Sequence, residues 1–325
     1  MISSRDILTL LLVRGLGRKG VRSIIQALPA EVGSLGQLSE LISANQKGGT
    51  RTPSPNELPA AAARADRILS LAQAKGIHAI AITEDKYPGR LRDTPDPPVL
   101  IYVKGDIDCL HSETAIAIIG TRKPSQEALE LAEQYGGRAA GRGIPVVSGL
   151  ALGCDTAVHA ACIKKGGLAI AVLAHGLDTV HPKANADLAH RIVSHGGCLV
   201  SEYPPGTSPL RQHFVERDRI QSGLSDGVLL IQSGLKGGSM HTVRFALEQR
   251  RPVAAIDPSP NIAVDSFLGN KQLIGDGKAM PIDNTADFEA FLHNIGRGGT
   301  LRRQRPRDGD RSDDEPPTQL NMFDR

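Results

Sequence analysis

Residues 115–155 of the chain read AIAIIGTRKPSQEALELAEQYGGRAAGRGIPVVSGLALGCD, and this stretch decides the fold. Two short apolar runs, residues 115–119 and 144–147, flank a segment whose apolar residues recur at helical spacing. The pattern predicts a strand, a helix and a second strand of parallel type. Glycine-rich turns follow the two strands at residues 120–122 and 148–153. Parallel strands present such turns, and the free N–H groups of the helices that follow, along one edge of the sheet, so phosphate is the expected ligand there.

Three further apolar runs end in similar turns. They cover residues 168–173, 198–200 and 227–231, and each leads into a loop rich in small and turn-forming residues. One such turn is equally consistent with a tight bend that only requires positive φ. Five turns at one edge of a sheet indicate a crevice, and a sixth strand at residues 253–256 closes the sheet. The predicted fold class is therefore α/β, with a Rossmann-like, doubly wound and mostly parallel sheet.

Six blocks of sequence occur in a fixed order over residues 85–283. They read GTRKPS, SGLALGCDTAVHAA, AHGLDTVHPKAN, SEYPPGTSPLRQHFVERDRIQSGLSD, LKGGSMHTVRFALEQRRPV and GNKQLIGDGK. In this order they resemble the DNA-processing protein A family (DprA/Smf), and several ordered blocks are more specific than a lone motif. The resemblance implies a protein that binds single-stranded DNA, usually as a homodimer. It also implies delivery of that DNA to the recombinase RecA, in natural transformation or recombinational repair.

The composition limits the classes of function. A formal charge of +3 does not by itself indicate a nucleic-acid-binding protein, so locally clustered basic residues must carry that interpretation. With no Trp, 6 Phe and 4 Tyr, extensive base stacking on aromatic side chains is not expected. The 4 Cys have no C-x-x-C spacing, which favours reduced core thiols in a cytoplasmic protein over a metal site. No segment has the length of a membrane span, and neither a cofactor nor a membrane association is expected.

The chain divides into four predicted parts. Residues 1–42 form a small helical domain whose Gly-x-Gly turn resembles a helix–hairpin–helix motif. Such a turn can offer backbone N–H groups to a DNA phosphate, and packing of ordinary helices is an equally open interpretation. Residues 43–59 are a polar linker, and residues 60–295 are the extended Rossmann-like domain. Residues 296–325 are arginine-rich and are predicted to be a disordered tail.

Motifs of the resembling family assign roles to individual residues. Arg122 lies where the G-S-R motif has its phosphate-binding arginine, and a guanidinium fork suits phosphate oxygens. An ion pair between Arg122 and a helix carboxylate such as Glu127 is the alternative. Arg217 and Arg219 match the two arginines of the F-P-x-R-N-R block, and Phe214 matches an aromatic residue that can stack on a base. A phenylalanine at the start of a helix is as often a core residue.

Lys236 matches the lysine of a K-S-G-S motif and precedes a helix that starts at Ser239. This places an ammonium group beside a helix N-terminus. The complete set predicted to bind DNA or phosphate is Gly120, Thr121, Arg122, Ser148, Gly149, Gly153, Phe214, Arg217, Arg219, Lys236, Gly238 and Ser239.

Three residues depart from the family pattern. Asp218 replaces an asparagine between the two arginines, His181 replaces a tyrosine before Pro182, and Gly237 replaces a serine beside Lys236. If Asp218 faces the ligand it opposes phosphate binding, and if it pairs with a neighbouring arginine it orients that arginine. These departures leave open an alternative function, a Rossmann-like protein that senses or hydrolyses a nucleotide.

An enzymatic function is not predicted. Nucleotide phosphoribohydrolases of similar fold use a P-G-G-x-G-T-x-x-E loop with a catalytic glutamate, and Phe245 occupies that position here. The remaining well-placed acid is Glu202, and the chain lacks a G-K-[ST] phosphate loop. The sequence therefore favours a binding protein without catalytic residues.

The end of the chain carries a further motif. Gln319, Leu320, Met322 and Phe323 resemble the Q-L-x-L-F pentapeptide by which bacterial replication and repair proteins dock onto the DNA sliding clamp. An apolar segment on a flexible tether suits a groove on such a partner. The alternative is that the apolar residues fold back onto the domain.

Overall fold

The computed structural model describes residues 2–27, 37, 40, 42, 54, 56–258 and 264–296. Most of the predicted linker (43–59) and all but Gly296 of the predicted tail (296–325) lie outside the described residues, as does the predicted clamp motif. None of the described helices combines the length and the hydropathy needed to cross a membrane.

The described strands form one sheet. They are β1 (Ile77–Ala81), β2 (Leu100–Gly105), β3 (Ile116–Ile119), β4 (Val146–Ser148), β5 (Ala169–Leu173), β6 (Cys198–Ser201), β7 (Gly227–Leu230), β8 (Val253–Ile256) and β9 (Met280–Ile282). Their spatial order is β1-β2-β6-β5-β4-β3-β7-β8-β9. All pairs from β6 to β9 are parallel, whereas β2 runs antiparallel to both of its neighbours. The predicted α/β class with a Rossmann-like, mostly parallel sheet is confirmed.

The sheet is covered by helices along its length. The described helices are α1 (Ser4–Leu12), α2 (Gly17–Ala27), α3 (Glu57–Ala74), α4 (Gly89–Arg92), α5 (Gln126–Gly141), α6 (Cys154–Lys164), α7 (Ala186–Ser194), α8 (Arg211–Gly223), α9 (Ser239–Glu248), α10 (Leu268–Gly275) and α11 (Thr285–Gly296).

The central strands are buried on both faces. Every residue of β3, β5 and β7 is buried, because helices cover both sides of a doubly wound sheet. Successive side chains of a strand point to opposite faces. Accordingly, Ile116 and Ile118 belong to one apolar cluster, and Ala117 and Ile119 belong to the other. The uninterrupted apolar runs of the sequence therefore fill two cores.

The N-terminal helices dock onto the β1 edge of the sheet. A capping box between Ser3 and Asp6 begins α1, which packs against α3. Arg5 on α1 and Asp66 on α3 form an ion pair of 2.6 Å. Because α3 starts at Glu57, the last three residues of the predicted linker are helical. The small helical domain predicted at the N-terminus is thus packed together with α3 and β1.

The order in which the chain adds parallel strands to the sheet reverses at β3. From β3 the chain passes to β4 on one side, and β7 lies on the other side of β3. The connections that leave the carboxyl ends of β3 and β7 therefore diverge. In open α/β sheets such a switch point produces a crevice where ligands bind.

Candidate functional site

A crevice of about 780 Å³ opens at the carboxyl ends of β3 and β7. Among the predicted site residues, it brings together Gly120, Thr121, Arg122, Phe214, Arg217, Lys236, Gly238 and Ser239. The helix α9 begins at Ser239, so the positive end of its dipole lies in the same wall as Lys236. Both features favour an anionic ligand.

Arg122 lies exposed at the mouth of the crevice. Its guanidinium carbon is 5.2 Å from the centroid of the half-buried Phe214 ring. In the described part of the chain no carboxylate pairs with Arg122, so the alternative pairing with Glu127 is not formed. The guanidinium is therefore held by an aromatic face with its N–H groups open to an incoming ligand.

Arg217 lines the crevice but is only 5 % exposed. Its Nη1 donates to the carbonyl oxygens of Gly149, at 2.8 Å, and Val172, and its Nε donates to Asp218 Oδ1 at 3.1 Å. The side chain thus joins the loop after β4 and strand β5 to α8. A Cβ at position 149 would overlap the guanidinium, which explains the glycine.

Arg219 does not line the crevice, in contrast to the sequence-based expectation. It is 4 % exposed, pairs with Glu202, and donates from Nη1 to Asp96 O at 2.7 Å. Residues two apart on a helix differ by about 200° in direction, so Arg217 and Arg219 cannot face the same side. Because its charge is used in this internal network, we leave Arg219 out of the proposed ligand set.

Ser148 and Gly153 do not line the crevice. They contact the strand and the loop that form one of its walls. The buried Ser148 hydroxyl donates to Ile118 O at 2.8 Å and so ties β4 to β3. Gly153 has a φ of +82°, and a Cβ there would lie 2.6 Å from Thr121 O and 2.8 Å from the Arg122 carbonyl carbon. The glycine therefore permits the loop that carries Arg122 to approach the start of α6.

Asp218 lies in the wall of the crevice, 8 % exposed. Burial raises the pKa of its carboxyl to about 7, the Arg217 charge opposes this shift, and the neighbouring Asp155 adds to it. The hydrogen bond to Arg217 places Asp218 in the orienting arrangement considered from the sequence. Near neutral pH the carboxyl is thus divided between its charged and neutral forms.

The crevice also contains basic residues that the sequence analysis did not single out. Lys123 and Arg211 are exposed and, with Arg122 and Lys236, give the lining four exposed basic side chains. His241 lines it too, and burial together with the Arg244 charge lowers the pKa of its imidazole. Lys123 directly follows Arg122, so the sequence did indicate its place in the crevice. No sequence feature indicated Arg211, because its placement depends on where α8 begins.

Glu202 is engaged in ion pairs and lies outside the crevice lining. It pairs with Arg219 and, at 3.4 Å, with Arg18 of α2. Arg18 also pairs with Asp96 at 2.8 Å, so the arginine next to the Gly-x-Gly turn is used in internal packing. Within the described ranges, no group of three His, Cys, Asp or Glu side chains is placed to hold a metal ion.

The chain matches a family of known proteins over most of its length. A sequence profile described as DNA recombination-mediator protein A matches residues 78–293. The DNA processing protein DprA of Bacillus subtilis (strain 168) is 37% identical over 214 residues, 66% of this chain and 71% of that protein. Protein Smf of Escherichia coli (strain K12) is 41% identical over 218 residues, 67% of this chain and 56% of that protein.

Solved structures of similar proteins give the same result. The X-ray structure of DNA processing protein A from Streptococcus pneumoniae has a TM-score of 0.75 and 30% identity, covering 90% of this chain and 98% of that one. A DNA processing protein A from Helicobacter pylori, described for its unique single-stranded DNA binding mode, has a TM-score of 0.59 and 27% identity. That match covers 68% of this chain and 96% of the Helicobacter chain.

Proposed function

The chain belongs to the DNA recombination-mediator protein A family, and from this premise we propose that it binds single-stranded DNA in the crevice and mediates loading of RecA. Membership of the family makes it a DNA-processing protein. One observation carries the proposal for the crevice: four exposed basic side chains surround it, whereas its two carboxylates, Asp155 and Asp218, are buried. The proposed setting is the cytoplasm, in natural transformation or recombinational repair.

The proposed binding mode separates phosphates from bases. Arg122 and Lys236 lie in different loops of the crevice and contact backbone phosphates, aided by the N-terminus of α9. The half-buried ring of Phe214 offers a face to a base. Bases in a duplex are stacked and paired, so an unpaired strand fits this arrangement better. No catalytic step is part of the proposal.

The dependence of affinity on salt tests phosphate binding. For a single strand, log affinity falls with log salt at a slope of about −0.7 per phosphate contact. Arg122→Ala and Lys236→Ala are each expected to reduce the slope by about one contact. Arg191→Ala, at an exposed position of α7 outside the crevice, is the control and should leave it unchanged. Unchanged slopes in both crevice variants, or equal affinity for single and double strands, would contradict the proposal.

Delivery of DNA to RecA is supported by the family relationship. We expect the protein to shorten the lag before RecA hydrolyses ATP on single strands that are already coated with single-strand-binding protein. An unchanged lag at saturating protein would limit the function to DNA binding.

Assembly as a homodimer is also part of the proposal. An apolar groove of about 540 Å³ between α9 and α10 exposes Leu235 and Leu247. Its rim includes Lys278 and Asp276, which form an ion pair of 3.1 Å, so the exposed leucines are bordered by a neutralised pair. Leu247→Glu is expected to halve the mass measured by sedimentation equilibrium. Leu71→Glu on α3, also an exposed leucine, is the matched control, and a monomeric wild-type protein would contradict this part of the proposal.

The motif at residues 319–323, outside the described residues, supports docking onto the sliding clamp. We expect full-length protein to bind purified clamp in calorimetry and the double variant Leu320→Ala, Phe323→Ala to lose this binding. No heat from the full-length protein would remove the clamp from the proposed partners, and equal heats from both proteins would show that the motif is not the docking segment.

Hydrolysis of a nucleotide is the alternative activity for this crevice. It required Glu202 as a free acid, and the ion pairs of this side chain with Arg219 and Arg18 argue against that role.

A further inference from the structure

A row of flat side chains leads out of the crevice toward the loop after β5. It begins with the Arg122 guanidinium over Phe214 and continues to His181. The ring centroids of Phe214 and His181 are 6.1 Å apart, with an angle of 59° between the ring planes. His181 is exposed, and it stands where the family pattern has a tyrosine, so the position carries a ring in either case.

The backbone of His181 is held in place while its ring remains exposed. Its N–H donates to Nε2 of the buried His175 at 3.2 Å. Nδ1 of His175 lies 2.9 Å from Gly176 O, so this nitrogen carries the proton and Nε2 is the acceptor. Burial lowers the pKa of His175, which keeps this imidazole neutral. The ring of His181 is therefore positioned beside Phe214 by its backbone and stays open to a ligand.

We propose that one nucleobase of the bound strand inserts between the rings of Phe214 and His181. The inference rests on the proposed function and specifies how the bases are held. Stacked bases follow one another at about 3.4 Å, so a ring placed between two others needs roughly twice that spacing. In the structure the two rings form a tilted pair with centroids 6.1 Å apart, so insertion requires the exposed His181 ring to rotate about its side-chain bonds until the planes are parallel and slightly farther apart.

Binding of short oligothymidylate by His181→Ala and His181→Phe tests this inference. Loss of one stacking platform should weaken binding on the order of tenfold. The salt slope should not change, because no phosphate contact is removed. His181→Phe should restore the affinity. His190→Ala, at an exposed position of α7, is the control and should bind as the wild type does.

An oligonucleotide with abasic sites separates base contacts from other effects. On this strand His181→Ala and the wild type should bind equally. The inference is overturned if His181→Ala matches the wild type on oligothymidylate, or if it is weakened as much on the abasic strand. If the wild type bound no single strand at all, the proposed function would fail together with the inference, which is a different result from a selective loss in the variant.

Discussion

Arg122 and Arg217 occupy the same crevice in different ways. Arg122 is exposed and contacts an aromatic face, whereas Arg217 is buried and donates to two backbone carbonyls and Asp218. The guanidinium of Arg122 is therefore available to a phosphate, and that of Arg217 mainly fixes the wall that Arg122 faces.

Replacing Asp218 by asparagine is expected to strengthen DNA binding in a pH-dependent manner. With a pKa of about 7, the carboxyl is charged at pH 8 and mostly neutral at pH 6. Asp218→Asn should bind single strands several-fold more tightly than the wild type at pH 8, and the difference should shrink toward pH 6. Fluorescence anisotropy at constant ionic strength measures this, with Asp187→Asn on α7 as the control. A difference that is independent of pH would contradict the expectation.

The same substitution has a consequence for stability. Because the pKa of Asp218 is raised from 3.8 to about 7, the folded protein binds more protons than the unfolded chain between these values. This carboxyl therefore makes the free energy of unfolding fall as the pH rises from about 4 to 7. Asp218→Asn removes this effect and should be more stable than the wild type by up to a few kcal/mol above pH 7, but not near pH 4. Urea denaturation across this range measures the difference, and parallel curves would disprove it.

Gly153 is expected to be more sensitive to alanine than Gly143, another glycine with positive φ. Gly153 and Gly143 have φ values of +82° and +69°, but a Cβ at position 143 meets no atom within 4 Å. Gly143→Ala should cost about 1 to 2 kcal/mol of unfolding free energy. Gly153→Ala should cost more and should weaken DNA binding, because the loop of Thr121 and Arg122 must move. Equal losses in chemical denaturation would show that only the conformation matters.

The sequence predicted the individual crevice residues only in part. Arg122 and Lys236 were predicted because turns after parallel strands meet at one edge. Arg219 was expected in the crevice because the motif does not specify which side of the helix each arginine faces. Its spacing of two residues from Arg217 already implied that the two side chains point in opposite directions. The burial of Arg217 could not be predicted, since it depends on contacts with the loop after β4 and with strand β5, both distant in sequence.

At the scale of elements, α8 separates two environments. Phe214, Arg217 and Asp218 face the crevice, and Arg219 faces Glu202 behind it. The strands around α8 were predicted to within about two residues because their apolar runs are continuous. The strand β9 was missed, since it is a three-residue edge strand that contains Pro281. The antiparallel direction of β2 could not be predicted either, because an apolar run of sequence does not indicate in which direction its strand pairs.

Neutralising Glu202 is expected to destabilise the fold without changing phosphate contacts. Glu202→Gln removes the main partner of the buried Arg219 charge, while Arg18 keeps its pair with Asp96, and the expected cost is about 3 kcal/mol. Glu248→Gln, which removes an exposed pair with Arg244, should cost less than about 1 kcal/mol. Thermal unfolding compares the two variants. A change in the salt slope of DNA binding in Glu202→Gln would instead place this residue at the ligand.

At the scale of the whole molecule, the N-terminal helices and the sheet form one packed body. The predicted linker at residues 43–59 lies mostly outside the described residues, and on either side of it α1 packs against α3, which leads directly into β1. Polar composition in that stretch gave no information about this contact between elements that are distant in sequence.

Unfolding of the whole molecule is therefore expected to be cooperative. Tyr87, Tyr102 and Tyr135 are buried and report the packing around the sheet, whereas far-ultraviolet circular dichroism reports all helices. The two signals should change together with denaturant. An earlier transition in circular dichroism would show that the N-terminal helices detach first.

The position of Glu202 has a mechanical consequence. It holds α2 through Arg18 and α8 through Arg219, and Arg219 lies about 3 Å along the helix axis from Arg217. An α-helix is stiff over so short a distance. A movement of α2 that reaches Arg219 through Glu202 is therefore transmitted along α8 to Arg217 in the crevice wall. We therefore expect a displacement of the N-terminal helices to shift the crevice wall and, with it, the proposed contacts to DNA.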